Sequence, residues 1–406
     1  MKWFKTTQPN DNILIYAYNG NCQKGGFINQ KGKWVIKPIF EKVGKFGENG
    51  LAPAAINLKG EWGNKWGYID KTGNWVINPQ FDSISYFEDN DFAIIKLNGK
   101  YGIVDKNGIV INPQFDDAYS FAENGLAPVK LNDKWGYIDT TGNWVITPQF
   151  DDAGSFKENG FARAKLNGQW GYIDQTGNWV INPKFDDAFN FEKNDLARIK
   201  LNGKYGYIDT TGKYVANPQF DDAERFAGND LACVKLNGKW GYIDQTGNWA
   251  INPQFDGAWN FEENDLARIK LNGKYGYIDI TGKLVVNPQF DFVGSFTENG
   301  LAQGGALNGK YGYIDQTGNW AINPQFDNVG PFEGNGLAPI QLNGKWGCID
   351  ITGKIVIKPQ SDEHLIIYKN SIFIWLNCLW GIVDKNGKTI AKPQFGWVEF
   401  CPLYYM

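Results

Sequence analysis

The stretch LNGKWGYIDQTGNWAINPQFDGAWNFEENDLARIK, residues 236–270, is followed at once by LNGKYGYID. One phrase has ended and begun again. The glycine of its aromatic-Gly step recurs at Gly67, Gly102, Gly136, Gly171, Gly206, Gly241, Gly276, Gly312, Gly347 and Gly381, at intervals of 34 to 36 residues. A degenerate eleventh unit lies upstream at Gly26, and the extra length before Gly67 falls around NLKGEWGN, read as a loop insertion. A period of this size signals a repeat architecture and overrides the two or three domains that 406 residues would otherwise suggest. The reading is a single array over 1–406 of about eleven units, with atypical capping units near 1–46 and 355–406.

Each unit parses into strands and turns. In the phrase that opens at Leu266, LARIKLN reads as a half-buried strand, and Asn272-Gly273 supplies the two positive-φ residues of a type I′ hairpin turn. The following KYGYID is the second strand. That register places Ile269 opposite Gly276, Ala267 opposite Ile278, Leu271 opposite Lys274, Lys270 opposite Tyr275 and Arg268 opposite Tyr277. One face is then aliphatic around a bare glycine, and the other sets cationic side chains beside rings. The glycine is expected to stay bare because an aromatic ring of the next unit covers it. Asp-x-Thr-Gly makes a second turn, with the aspartate as side-chain acceptor. WAINPQF is the third strand, and its proline makes it a sheet edge there or ends it there. FDGAWNFEEND is a crossover segment with room for a short fourth strand.

A lone unit of this size cannot bury enough apolar surface to offset its ordering entropy, so neighbours must share faces. The expected fold is all-β: three-stranded β-meander units stacked as an open β-solenoid or superhelix, with a propeller-like closed ring or rings as the alternative. The degenerate ends, and the absence of a unit visibly split between the termini, favour the open form. Eleven units also exceed the usual four to eight propeller blades.

Composition narrows the function. Aromatic residues are 16% of the chain, with 49 Gly and one His, which suits β-structure with many tight turns. A net charge of −4 with no basic stripe argues against nucleic acid as a partner. The five cysteines, Cys22, Cys233, Cys348, Cys378 and Cys401, occupy unrelated repeat positions and form no CxxC, which reads as free thiols in a reducing compartment. With no apolar run long enough for a signal peptide or a membrane span, the expected location is the cytoplasm.

Catalytic constellations are missing. The single histidine, His364, lies in a degenerate unit, and neither GxSxG, HExxH, a P-loop nor GxGxxG is present. The carboxylate pairs Asp116/Asp117, Asp151/Asp152, Asp186/Asp187 and Asp221/Asp222 recur identically, whereas a glycosidase needs one pair made unequal by its surroundings. The Asp-x-Thr-Gly turns lack the ligand density of a calcium loop. The expectation is no enzyme, no metal and no cofactor.

What recurs most is structural: Trp135-Gly136, Trp170-Gly171, Trp240-Gly241, Pro253, Phe255 and Phe261. The position after Leu-Ala varies most, as Pro128, Arg163, Arg198, Cys233, Arg268, Gln303 and Pro339. A varied position on a fixed scaffold is where partner specificity can be written. Arg163, Arg198 and Arg268, with the cross-strand Tyr172, Tyr207 and Tyr277, form the candidate partner-binding face.

The unit NGKWGYID-x-TG-x-W-x-INPQFDDA-x-x-F-x-ENGLA resembles the bacterial WG-repeat family, also called KWG repeats. The resemblance rests on Trp240-Gly241, Asp244, Gly247, Trp249, Pro253, Phe255, Phe261 and Leu266-Ala267 and covers about residues 12–400. It implies a β-repeat protein of bacterial type and supplies no catalytic residues. The expected function is a non-enzymatic scaffold for protein–protein interaction. The alternative is binding of carbohydrate or a cell-wall-type ligand through repeated aromatics, as the looser likeness to choline-binding repeats also implies.

Overall fold

The computed structural model describes residues 14–57, 63–227, 229–306, 308–368 and 371–399. The expected insertion around 58–62, the terminal segments and Cys401 lie outside them. Each repeat is an antiparallel sheet of four strands, not three, and among the described residues eleven such sheets follow one another. Gly257–Ala258, Ala267–Leu271, Lys274–Ile278 and Leu284–Phe290 are one example, hydrogen-bonded in sequence order. The added strand is two residues long and pairs Gly257 with Lys270 and Ala258 with Ile269. It follows directly on the Phe-Asp that ends the preceding sheet, so consecutive sheets are joined almost without a loop.

The hairpin is built as its turn residues dictate. Asn272 and Gly273 have φ of 51° and 78°, and every expected cross-strand pair from Ala267/Ile278 to Leu271/Lys274 is present. The third long strand is the sheet edge, as its proline requires. Its pairing is irregular: register shifts fall between Trp240 and Tyr242 and between Tyr242 and Ile243. That bulge explains the bare glycine. A Cβ on Gly241 would lie 2.6 Å from the Ile251 carbonyl oxygen and 2.7 Å from the Pro253 nitrogen, backbone of its own sheet. The cover therefore comes from the edge strand of the same unit, correcting the expectation of a ring from the next.

Both faces of a sheet are buried against neighbours. Cys233, Tyr242, Ile251 and Phe255 of one sheet form a single core cluster with Ala258, Phe261, Ala267, Ile269 and Ile278 of the next unit. Rings bridge each junction, with Phe220 edge-on to Trp249 at 5.8 Å and Tyr242 tilted on Phe261 at 5.0 Å. Trp135 and Trp170 are buried and Trp240 is partly so, which makes them packing residues.

The chain divides into two compact units: the described parts of Met1–Gly99, Val104–Ile109 and Glu333–Met406, and Lys100–Ile103 with Val110–Phe332. Within the first, the opening sheet takes Ile15–Tyr18, Gly25–Ile28 and Trp34–Phe40 from one end of the sequence and Trp397–Glu399 from the other. Tyr16 pairs with Glu399 and Tyr18 with Trp397. One sheet is thus split between the two ends, as in a propeller whose first blade is completed by its last strand. The four-stranded units are propeller-type blades, which matches the alternative reading, and the open-solenoid expectation is not confirmed.

Candidate functional site

The six residues expected to form a partner face stand at the junction between consecutive sheets. Tyr172, Tyr207 and Tyr277 are buried, and their hydroxyls donate to carbonyls of the following unit: Phe189, at 2.7 Å, Glu224 and Gly294. Burial pushes all three phenols well above their usual pKa. Arg163, Arg198 and Arg268 are half-buried. Each guanidinium likewise reaches the next unit, donating to the carbonyls of Ala188 (2.9 Å), Ala223 and Val293 (3.0 Å). The cross-strand pairing of Arg with Tyr is as expected, but this face is turned toward the neighbouring sheet. The tyrosines are interior groups whose hydroxyls tie consecutive units together.

The repeated carboxylates are also joints. Lys134 Nζ holds Asp151 at 2.5 Å, and the other oxygen of Asp151 accepts the Gly168 N–H of the next hairpin turn at 3.2 Å. Lys204, Asp221 and Gly238 repeat this arrangement, as do Lys239, Asp256 and Asn272. The hydrogen bond from lysine is the main reason these aspartates titrate below the usual carboxylate range. The second member of each pair, such as Asp152, caps the amide that follows it. In the Asp-x-Thr-Gly turn, Asp244 accepts the Thr246 hydroxyl (2.6 Å) and the amides of Thr246 and Asn248. The Thr246 hydroxyl is the leading cause of its lowered pKa. Among the described residues no cluster of His, Cys, Asp and Glu is arranged to hold a metal.

Two surfaces escaped sequence reasoning. The first is the edge strand, where burial runs half-buried, exposed, buried, exposed along its first four residues. Its exposed apolar side chains recur: Val35, Ile39 and Val76 in one compact unit, Val110, Val145, Val180, Leu284 and Val285 in the other. The signal was present as the valine between Trp and Ile, but alternation does not say whether another chain covers the outward row. The second surface is the start of the crossover segment, which carries the exposed rings Tyr119, Trp259 and Phe292. Tyr119 stacks on Trp135 at 5.1 Å, and the Arg268 guanidinium lies 4.5 Å from the Trp259 ring. At the equivalent Phe189, Arg198 sits 3.9 Å from the ring, beside a cleft of about 110 Å³ that also reaches Glu192, Glu224 and Arg225.

The described cysteines are free: Cys22 and Cys378 are exposed, Cys233 and Cys348 buried. Burial raises the Cys348 thiol to about 11 and pushes Cys233 higher still. His364 packs on Trp346 at 4.5 Å, and desolvation lowers its pKa.

The family model for the WG containing repeat matches residues 26–62, 66–101, 101–135, 135–170, 170–205, 205–240, 240–275, 275–303, 311–346, 346–364 and 380–400. No curated protein matches the sequence. Among solved structures, the chain is similar to a eukaryotic initiation factor, at 9% identity and TM-score 0.40, over 71% of this chain and 92% of that one. It is also similar to KlHsv2 with loop 6CD replaced by a Gly-Ser linker, at 10% identity and TM-score 0.31, over 63% and 88%.

Proposed function

This chain belongs to the WG-repeat family, and from that premise we propose that it is a non-enzymatic scaffold that binds a protein partner along its edge strands. The observation that carries this reading is the recurring row of exposed apolar side chains, Val110, Val145 and Val180 foremost. Repeated exposed apolar groups mark interaction surfaces. The proline and the bulge beside it weaken the edge as a template for backbone pairing, so the partner is held by side-chain contact. The joints described above commit the charged and phenolic groups to structure, which suits a scaffold. The unpaired cysteines agree with a reducing, cytoplasmic setting.

The test is affinity capture from native lysate with the wild-type chain and with the double variant Val145→Lys/Val180→Lys. The expected result is a stoichiometric partner recovered by the wild type and lost by a variant whose circular dichroism is unchanged. Equal recovery by both, or no partner at any salt concentration, overturns the reading.

A further inference from the structure

Phe189 and Trp259 stand at the same place in two sheets of one compact unit, 70 residues apart. Around them the sequence is nearly the same, FNFEKNDLARIK and WNFEENDLARIK. Each ring is followed by an asparagine, Asn190 or Asn260, and lies against an arginine, Arg198 or Arg268. We propose that these are two copies of a carbohydrate subsite, each taking one pyranose ring of a neutral oligosaccharide. The inference goes beyond the protein-scaffold reading and uses a different surface.

Four observations support it. The backbone that carries each ring is held on both sides. The Trp259 N–H donates to the Arg268 carbonyl at 3.1 Å, and the Trp259 carbonyl accepts the Tyr242 hydroxyl at 2.7 Å. Phe189 is held in the same way by the Arg198 carbonyl and the Tyr172 hydroxyl. A platform fixed in advance loses little entropy on binding. Second, the polar groups are mixed in sign. At Phe189 the cleft has Arg198 and Arg225 against Glu192 and Glu224, with Arg198 and Glu224 4.0 Å apart. Such a rim favours neither an anion nor a cation, and offers hydroxyl groups both donors and acceptors. Third, hydrogen-bonding capacity is left over at the second copy: the Asn260 Oδ1 and the Arg268 Nε are buried without a partner. A hydroxyl can accept from one and donate to the other. Fourth, the cleft is small, at about 110 Å³, and is open on one side. It has room for the face of a single ring. Recurrence of the same constellation matches a ligand that itself repeats.

The unit between the two copies carries Glu224 at the ring position and Cys233 at the arginine position, so it has neither platform nor guanidinium. The subsites therefore follow the 70-residue period, which gives that period a chemical role.

Isothermal titration with cellohexaose, chitohexaose and maltohexaose on the full chain tests the proposal, up to about 10 mM so that a millimolar site saturates. At least one of them is expected to bind saturably. Trp259→Ala and Phe189→Ala should each weaken it by about tenfold, the effect of losing an aromatic anchor, and Trp259→Phe should restore most of it. Thermal melts confirm that each variant folds. No saturable binding of any of the three, or binding indifferent to both alanine variants, overturns the inference. So does loss of a captured protein partner in Trp259→Ala when no hexasaccharide binds, because the rings then serve the protein. Val145→Lys/Val180→Lys should leave sugar binding intact, which separates failure of the scaffold reading from failure of this one.

Discussion

At the step after Leu-Ala, one sheet carries Arg198 and the next carries Cys233. Arg198 lies over the Phe189 ring of its own sheet and crosses to the following unit, where it donates to the Ala223 carbonyl and stands 4.0 Å from Glu224. Cys233 is fully buried, among the groups of its own junction. Gln303 offers a third solution, donating through Nε2 to the Val329 carbonyl at 2.8 Å. Opposite all three stands the same residue type, Tyr207, Tyr242 and Tyr313, whose hydroxyl always reaches a carbonyl of the next unit. The position varies because the junction can be closed by a guanidinium, an amide or a thiol once the tyrosine holds it. The joint itself therefore tolerates variation at this position.

Substitutions can break or sharpen this comparison. The largest effect should come from a group common to both sheets. Gly241→Val places carbon against the Ile251 carbonyl and the Pro253 nitrogen, which cannot yield as a side chain would. A loss of about 3 kcal/mol or more in urea-induced unfolding is expected. Next come the two kinds of junction. Tyr242→Phe removes the hydroxyl that reaches Trp259 and should cost about 1 kcal/mol, while Arg198→Met leaves the Ala223 carbonyl without its charged donor and should cost about 1.5 kcal/mol. If Arg198→Met were neutral while Tyr242→Phe was costly, the tyrosine alone would hold the joint. The thiol solution predicts chemistry as well as stability. Iodoacetamide at neutral pH should modify Cys22 and Cys378 in the native protein and spare Cys233 and Cys348, as peptide mass mapping would show. Smallest is the lysine joint. Lys239→Met should lower the urea midpoint least of these variants, an effect that salt removes, because the pair is largely exposed.

The turn aspartates add a pH dependence that recurs along the array. Asp70, Asp174 and Asp244 are lowered by their threonine hydroxyls. A carboxylate whose pKa is lower folded than unfolded contributes stability above the unfolded value, near 4, and loses it as pH falls through the folded value. Thermal stability should therefore decline on acidification below about pH 4, and less steeply in Asp244→Asn, as a series of melts at stepped pH would record.

Much of the unit was legible because local chemistry determines it. Asn272-Gly273 permits one turn, and the turn then sets every pair between Ala267 and Leu271 and their partners. The short strand at Gly257–Ala258 was not legible as pairing, since two residues carry no period. The cover of Gly241 was missed because it depends on a bulge, and a bulge shows no signal in alternation. Arg268 and Tyr277 were rightly paired, and what the pairing did not show is that both reach the next sheet. Period two separates the faces of a strand without saying which of them another sheet will cover. The split first sheet was not legible because Trp397-Val398 follows Phe395 at the same spacing as Phe292-Val293 follows Phe290, and such a short strand carries no mark of which later or earlier strand it will pair with.

That split sheet sets an order on assembly. The pairing between Tyr18 and Trp397 is the least local in the described structure, whereas the other sheets close over neighbouring residues. Most of the array can form on the ribosome as each hairpin emerges, but Ile15–Tyr18 must wait with one edge unpaired until the chain has been made as far as Trp397. Such waiting edges are where chains exchange strands with one another. Synthesis at high local concentration would then give interlinked chains, each lending its last strand to the first sheet of another.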